Sequence, residues 1–180
     1  MRHLRINLAR YWLGGRGFTL IEILIVVVIL GVLGAVVLPR FSDASNTTRE
    51  NTLKDDLRYA RTQIIVFKAQ HANTAPGYPS GKTSASPTEQ DFLLQMTAST
   101  DEFGNIAKSS TTKKLGPYLK KMPANSLNGL STILIVSNGS SMPPAGQPDN
   151  STGWIYKPQT LELIPNSPGN DSEGTPYVEY

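Results

Sequence analysis

The 180-residue sequence contains no cysteine. Disulfide staples and thiolate metal sites are therefore excluded, and the fold must be held by its own core, a partner or a bound ion. Histidine is nearly absent too: His3 and His71 are the only two, too few and too far apart for a histidine-pair metal motif. The sequence has no G-x-S-x-G elbow, no phosphate-cradling glycine loop and no cysteine nucleophile. An enzyme is not expected. Glycine and proline number 15 and 13, yet neither occurs between Phe41 and Ala75. Acidic residues are missing from the N-terminus, where Arg2, Arg5, Arg10 and Arg16 stand before the first carboxylate, Glu22.

That asymmetry decides how the formal charge of +3 is read. Without the four N-terminal arginines, 13 basic side chains face 14 acidic ones. The body of the chain has no basic surplus with which to bind nucleic acid, and no such partner is expected. The arginines instead precede a 21-residue run, Phe18 to Leu38, that is apolar except for Thr19 and Glu22. As a helix this run measures roughly 31 Å, against a bilayer hydrocarbon core of about 30 Å. Positive charge ahead of it places the N-terminus in the cytoplasm and the remainder across the membrane. The run exceeds the h-region of an ordinary signal peptide, about 7–15 residues. A carboxylate inside it, Glu22, is costly and calls for a partner.

Beyond the run, Leu53, Leu57, Ala60, Ile64 and Phe67 recur at steps of four and three, which predicts an amphipathic helix continuing to about Ala72. Glu50 and Lys54 are spaced for an i,i+4 ion pair, and Asp55 and Arg58 for an i,i+3 pair. Pro39 lacks a helical donor and crowds the carbonyl of Ala35, so an interruption or kink is expected there, with Gly31 and Gly34 loosening the same stretch. Downstream, Ser86-Pro87-Thr88-Glu89 reads as a capping box opening a short helix through about Thr97, with Phe92, Leu93 and Met96 facing inward. Thr132–Ser137 predicts a strand, and Gly153–Tyr156 with Thr160–Ile164 a hairpin about Lys157-Pro158-Gln159. The expected class is α+β: a long N-terminal helix packed on a small antiparallel sheet. Trp154 and Tyr156 are expected to be packing residues.

The segment Arg16-Gly17-Phe18-Thr19-Leu20-Ile21-Glu22 resembles the processing site of type IV pilins and type II secretion pseudopilins. The resemblance implies a cleavable basic leader 1–17, a transmembrane and filament-core half 18–38, an amphipathic half 39–75 and a periplasmic α+β domain 76–180. It implies that a prepilin peptidase cuts between Gly17 and Phe18 and methylates the new amine of Phe18. It gives Glu22 the role of neutralising that amine on a neighbouring subunit during assembly, and associates the stretch from Gly31 to Pro39 with local unwinding. Leu115-Gly116-Pro117-Tyr118-Leu119-Lys120-Lys121-Met122-Pro123 resembles the G-P-Y-L-x-K-x-P segment of the major, G-type pseudopilin.

The implied protein is a single-pass subunit of the bacterial inner membrane, N-terminus cytoplasmic and C-terminal domain periplasmic. Its implied partners are its own copies, the peptidase, an inner-membrane assembly platform and minor pseudopilins. A surface type IV pilus subunit is the alternative, and a membrane-anchored periplasmic binding module that never polymerises is a third. G-type pseudopilins also carry a C-terminal calcium site, for which Asn170, Asp171 and Glu173 are the candidate oxygen donors here. The D-x-[DN]-x-[DN]-G pattern is absent, and a solvated acidic loop without cofactor is the simpler reading of the same residues.

Overall fold

The computed structural model describes residues 17–106 and 114–180, and the side chains of residues 36 and 38–43 lie outside that description. Residues 1–16 of the expected leader 1–17 lie outside it as well. The chain divides into two compact units, Met1–Ser42 and Asp43–Tyr180. Helix α1, Leu20–Gln70, contributes to both.

In the first unit α1 is apolar on every side, and nearly all of its described side chains are exposed. The helical backbone runs on through Pro39, where the sequence predicts an interruption. The kink expected there falls on a residue whose side chain lies outside the described set. A Cβ at Gly31 or Gly34 would meet nothing within 4 Å, so neither glycine serves a close approach within the described subunit.

In the second unit the absence of glycine and proline lets α1 continue, and its stripe becomes the core. Leu53, Leu57, Ala60, Ile64 and Phe67 are all buried. Past Gln70 the backbone turns left-handed at Ala72 and Asn73, which ends the helix. His71 sits in this turn, 1% exposed and stacked on Phe67 with ring centroids 3.7 Å apart. Its Nδ1 lies 2.8 Å from the Phe67 carbonyl and its Nε2 2.8 Å from Thr100 Oγ1. A neutral ring donating to the former and accepting from the latter satisfies both atoms.

Burial pushes the His71 pKa below its usual value. The unfolded chain therefore takes up a proton near pH 6.5 that the folded one refuses, so stability is intact above that pH and falls as pH drops below it. One such proton gives a slope of at most about 1.4 kcal/mol per pH unit. Urea midpoints measured at pH 7 and pH 5.5 on the detergent-solubilised chain should decline for the wild type. The decline should shrink in His71→Gln, and an equal decline in both would remove His71 as its source.

Helix α2, Glu89–Thr97, ends where the sequence predicts but starts later. Its cap is Thr88, whose Oγ1 accepts from Asp91 N–H at 3.0 Å. The expected box of Ser86 with Glu89 is thus replaced by a single Thr88 cap, whose own N–H donates to the Gly77 carbonyl and not to a side chain of the helix. Glu89, released from capping, accepts the backbone N–H of Ile133 at 2.7 Å and ties α2 to the sheet. Phe92 and Met96 are buried, and Leu93 packs partly against them.

The sheet has strands β1 (Ile133–Ile135), β2 (Trp154–Lys157) and β3 (Glu162–Pro165), in that spatial order. The β2–β3 hairpin is antiparallel as expected, with Tyr156 opposite Leu163. β1 runs parallel to β2, Ile133 opposite Trp154, so the sheet is mixed and not antiparallel throughout. A parallel neighbour needs a crossover of about a dozen residues or more, and the proline-containing segment 136–153 is long enough to make it. One face, with Ile133, Trp154, Tyr156 and Leu163, joins the stripe of α1 in the main core. The other places Ile155 and Ile164 with Val136 against Met142 and Val178.

The Leu115–Pro123 segment fastens these layers. Leu115 exchanges backbone hydrogen bonds with Thr100, and the amides of Tyr118 and Leu119 both donate to the Met96 carbonyl at the end of α2. Tyr118 Oη donates to Gln70 on α1 at 2.7 Å, and the Pro123 carbonyl accepts Trp154 Nε1–H from β2 at 2.9 Å. Gly116 has φ +75°, and a Cβ there would come within 2.9 Å of the Tyr118 ring. The glycine of this motif is therefore a packing requirement.

Candidate assembly site

Gly17, Phe18 and Thr19 precede the first helical residue, Leu20. Phe18 is 76% exposed and a Cβ on Gly17 would meet nothing within 4 Å. Thr19 is the helix N-cap. Its N–H and Oγ1 donate to Glu22 Oε2 at 2.8 and 2.9 Å, while Glu22 N–H donates back to Thr19 Oγ1 at 3.3 Å. This is a reciprocal capping box. It gives Thr19 a function the sequence reading passed over, although T-x-x-E ahead of an apolar run is its known signature. The box leaves the carboxylate at the surface with hydrogen bonds and, among the described residues, no cation.

Around it, the described large apolar side chains from Leu20 to Val37 are all exposed, between 43% and 92%, on all sides of α1. A helix apolar all round is stable only when surrounded by lipid or other helices. Among the described residues no helix is long and apolar enough to cross a membrane. Past Glu22 the described apolar residues of α1 run unbroken from Ile23 to Ala35, about 20 Å of helix.

The calcium candidates at the other end of the chain do not form an open loop. Asp171 is buried, with Oδ1 accepting the amides of Glu173 and Thr175 at 2.9 and 2.8 Å. Its Oδ2 accepts Tyr180 Oη–H at 2.7 Å and faces Lys54 Nζ at 3.4 Å. These donors, the Tyr180 hydroxyl foremost, draw its pKa down to about 2. Asn170 and Glu173 are exposed. No cluster of three or more metal-ligating His, Cys, Asp or Glu side chains occurs among the described residues. With an ammonium already on its outer oxygen and two amides on its inner one, Asp171 does not fit a calcium ion.

The expected Glu50–Lys54 pair is likewise replaced. Glu50 is buried and accepts Ser172 N–H and Oγ–H at 3.1 and 2.8 Å, leaving Lys54 to Asp171. Asp55 and Arg58 are not within ion-pair distance either; Lys54–Asp171 is the one salt bridge among the described residues.

Residues 14–38 match the family model of the prokaryotic N-terminal methylation motif. The chain is 30% identical to the type IV narrow pilus major component PilA5 of Thermus thermophilus, over 56% of this chain and 93% of that protein. It is 31% identical to the type II secretion system core protein G of Pseudomonas aeruginosa, over 61% of this chain and just under two thirds, 66%, of that protein. No solved structure matches. The capped apolar helix, the helix-on-sheet core and these relatives place the chain in the family of type IV pilins and type II secretion pseudopilins, whose members are filament subunits and not enzymes.

Proposed function

We propose that the protein is the major pseudopilin of a type II secretion system. Its subunits are anchored in the inner membrane by residues 18–38, with the C-terminal domain periplasmic, and polymerise through that helix into a filament that drives protein export. The observation that carries the polymerising role is the N-terminal helix itself: apolar on every side, exposed, and headed by a carboxylate that has no cation among the described residues. Assembly with other copies covers the apolar surface. The amine released between Gly17 and Phe18 supplies the missing cation from a neighbouring subunit, and a buried amine and carboxylate each need the other. Gly31 and Pro39 would allow the helix to loosen as it leaves the lipid. A prepilin peptidase, an assembly platform and minor pseudopilins are the partners this role requires.

The secretion branch is favoured by the Leu115–Pro123 motif and the similarity to core protein G. A surface type IV pilus is the second reading, favoured by the near-complete coverage of the Thermus pilus subunit.

Mass spectrometry of the N-terminal peptide from cell envelopes should find a chain beginning at Phe18 and carrying one methyl group. An uncleaved N-terminus, or cleavage beyond Gly34, would leave an anchored or secreted monomer instead. Deleting the gene then separates the branches. Retention of export substrates in the periplasm marks secretion, and loss of surface fibres with export intact marks a pilus.

A further inference from the structure

The C-terminal arm, residues 170–180, is bound to α1 by side chains spaced along one region of the helix. Glu50 takes the amide and hydroxyl of Ser172, with Tyr177 Oη at 3.5 Å. Lys54 meets Asp171 and lies over the Tyr180 ring, 4.4 Å from its centroid. Arg61 donates to the backbone oxygens of Leu163 and Tyr180, joining the arm to β3. Tyr177 and Tyr180 stack edge to face, centroids 5.7 Å apart, and pack against the main core.

The Asp171 loop also closes on itself, since Asp171 N–H donates to the Thr175 carbonyl and Gly174 N–H to the Asp171 carbonyl. Among the described residues the buried carboxylate forms one salt bridge, with Lys54, whose side chain is 41% exposed while that of Asp171 is 2% exposed. A divalent cation reaching Oδ2 would have to displace both this ammonium and the Tyr180 hydroxyl.

We infer that Lys54 occupies the position a metal would take, so that this chain's own ammonium latches the arm onto α1 and the domain closes without calcium. The physical basis is substitution of one counter-charge by another. A buried carboxylate needs a cation, and a tethered one is present at a high local concentration in every ionic condition. The Lys54 ammonium also lies over the Tyr180 ring, so the same cation holds both the carboxylate and the aromatic face of the arm. The latch does not depend on the filament reading, because it concerns the folding of one subunit.

The test is thermal unfolding of the full chain in detergent, followed by tyrosine near-UV circular dichroism, in EDTA and then in millimolar calcium chloride. The wild type should melt at the same temperature in both, within about 1 °C, and Lys54→Met should melt roughly 5 °C lower in EDTA while Lys54→Arg recovers most of the loss. A calcium-dependent rise in the wild-type midpoint overturns the latch whether or not the variants fold. So does a Lys54→Met midpoint equal to that of the wild type in EDTA.

Discussion

Glu22→Ala should yield a protein that is made, cleaved and folded but does not assemble, with filament recovery down roughly a hundredfold or more against an unchanged membrane pool. In the proposed filament the Phe18 amine leaves water for the environment of packed apolar helices. There the attraction between unit charges is several times stronger than at a wet surface, and so is the cost of a charge without a partner. Alanine removes the partner and leaves the amine.

The same substitution also dissolves the Thr19–Glu22 capping box, whose loss alone would cost helix stability on the order of 1 kcal/mol. Glu22→Gln distinguishes the two effects. An amide oxygen can still accept from Thr19 N–H and Oγ1–H, but it carries no charge. If charge neutralisation governs assembly, Gln fails as Ala does; if capping governs it, Gln assembles. Sheared filaments and membranes quantified from the same cells give the answer. Normal assembly of Glu22→Ala would remove both the charge and the cap of Glu22 from assembly, whereas filaments absent from the wild type as well would return the chain to the class of membrane-anchored binding modules.

The parts of the fold legible in the sequence are those set by local rules. The stripe from Leu53 to Phe67 follows helical spacing, so its burial could be read directly. The hairpin of β2 and β3 was legible because a short turn about Pro158 leaves one pairing only. The direction of β1 was not, since it depends on the course of segment 136–153, which carries no periodic pattern. Nor was the fate of Glu50 and Lys54: their helical spacing invites a pair with each other, but partners more than 100 residues away, Ser172 and Asp171, outcompete a solvent-facing contact. Burial makes the distant partner the stronger one, and burial is a property of the assembled core.

The assembly site divides the same way. Gly17, Phe18 and Glu22 stood out by contrast with their apolar surroundings, whereas Thr19 was overlooked because a threonine at a helix start is chemically quiet. At α2 the sequence points to a Ser86 cap, whereas the helix opens at Glu89 on Thr88, whose N–H is engaged by the distant Gly77 carbonyl.

Gly153→Ala should be the most damaging single substitution in the second unit, lowering stability by about 3 kcal/mol or more and the melting temperature by roughly 10 °C. From sequence this glycine only opens a strand. In the structure a Cβ there would fall 2.0 Å from the Leu130 carbonyl oxygen and 2.7 Å from its carbon. Both are backbone atoms, so no side-chain rotation relieves the clash, and one chain segment must move. Either movement breaks hydrogen bonds. The Leu130 carbonyl accepts the Asn125 amide, and Gly153 N–H donates to Thr132 just before β1. The Gly153 carbonyl accepts from both the Asn166 amide and Asn125 Nδ2. Asn125 and Asn166 are fully buried, so a polar group released here finds no water. Displacing Gly153 would also shift Trp154, which is 0% exposed and sets the register of β1 on β2. Gly129→Ala is the matched comparison one residue before Leu130. Its Cβ would meet nothing within 4 Å, and its φ of +77° makes alanine cost only about 1 kcal/mol. Melting curves of the two variants in detergent should therefore differ by several degrees, and a Gly153→Ala curve coincident with that of Gly129→Ala would mean that the backbones of 130 and 153 do not approach this closely.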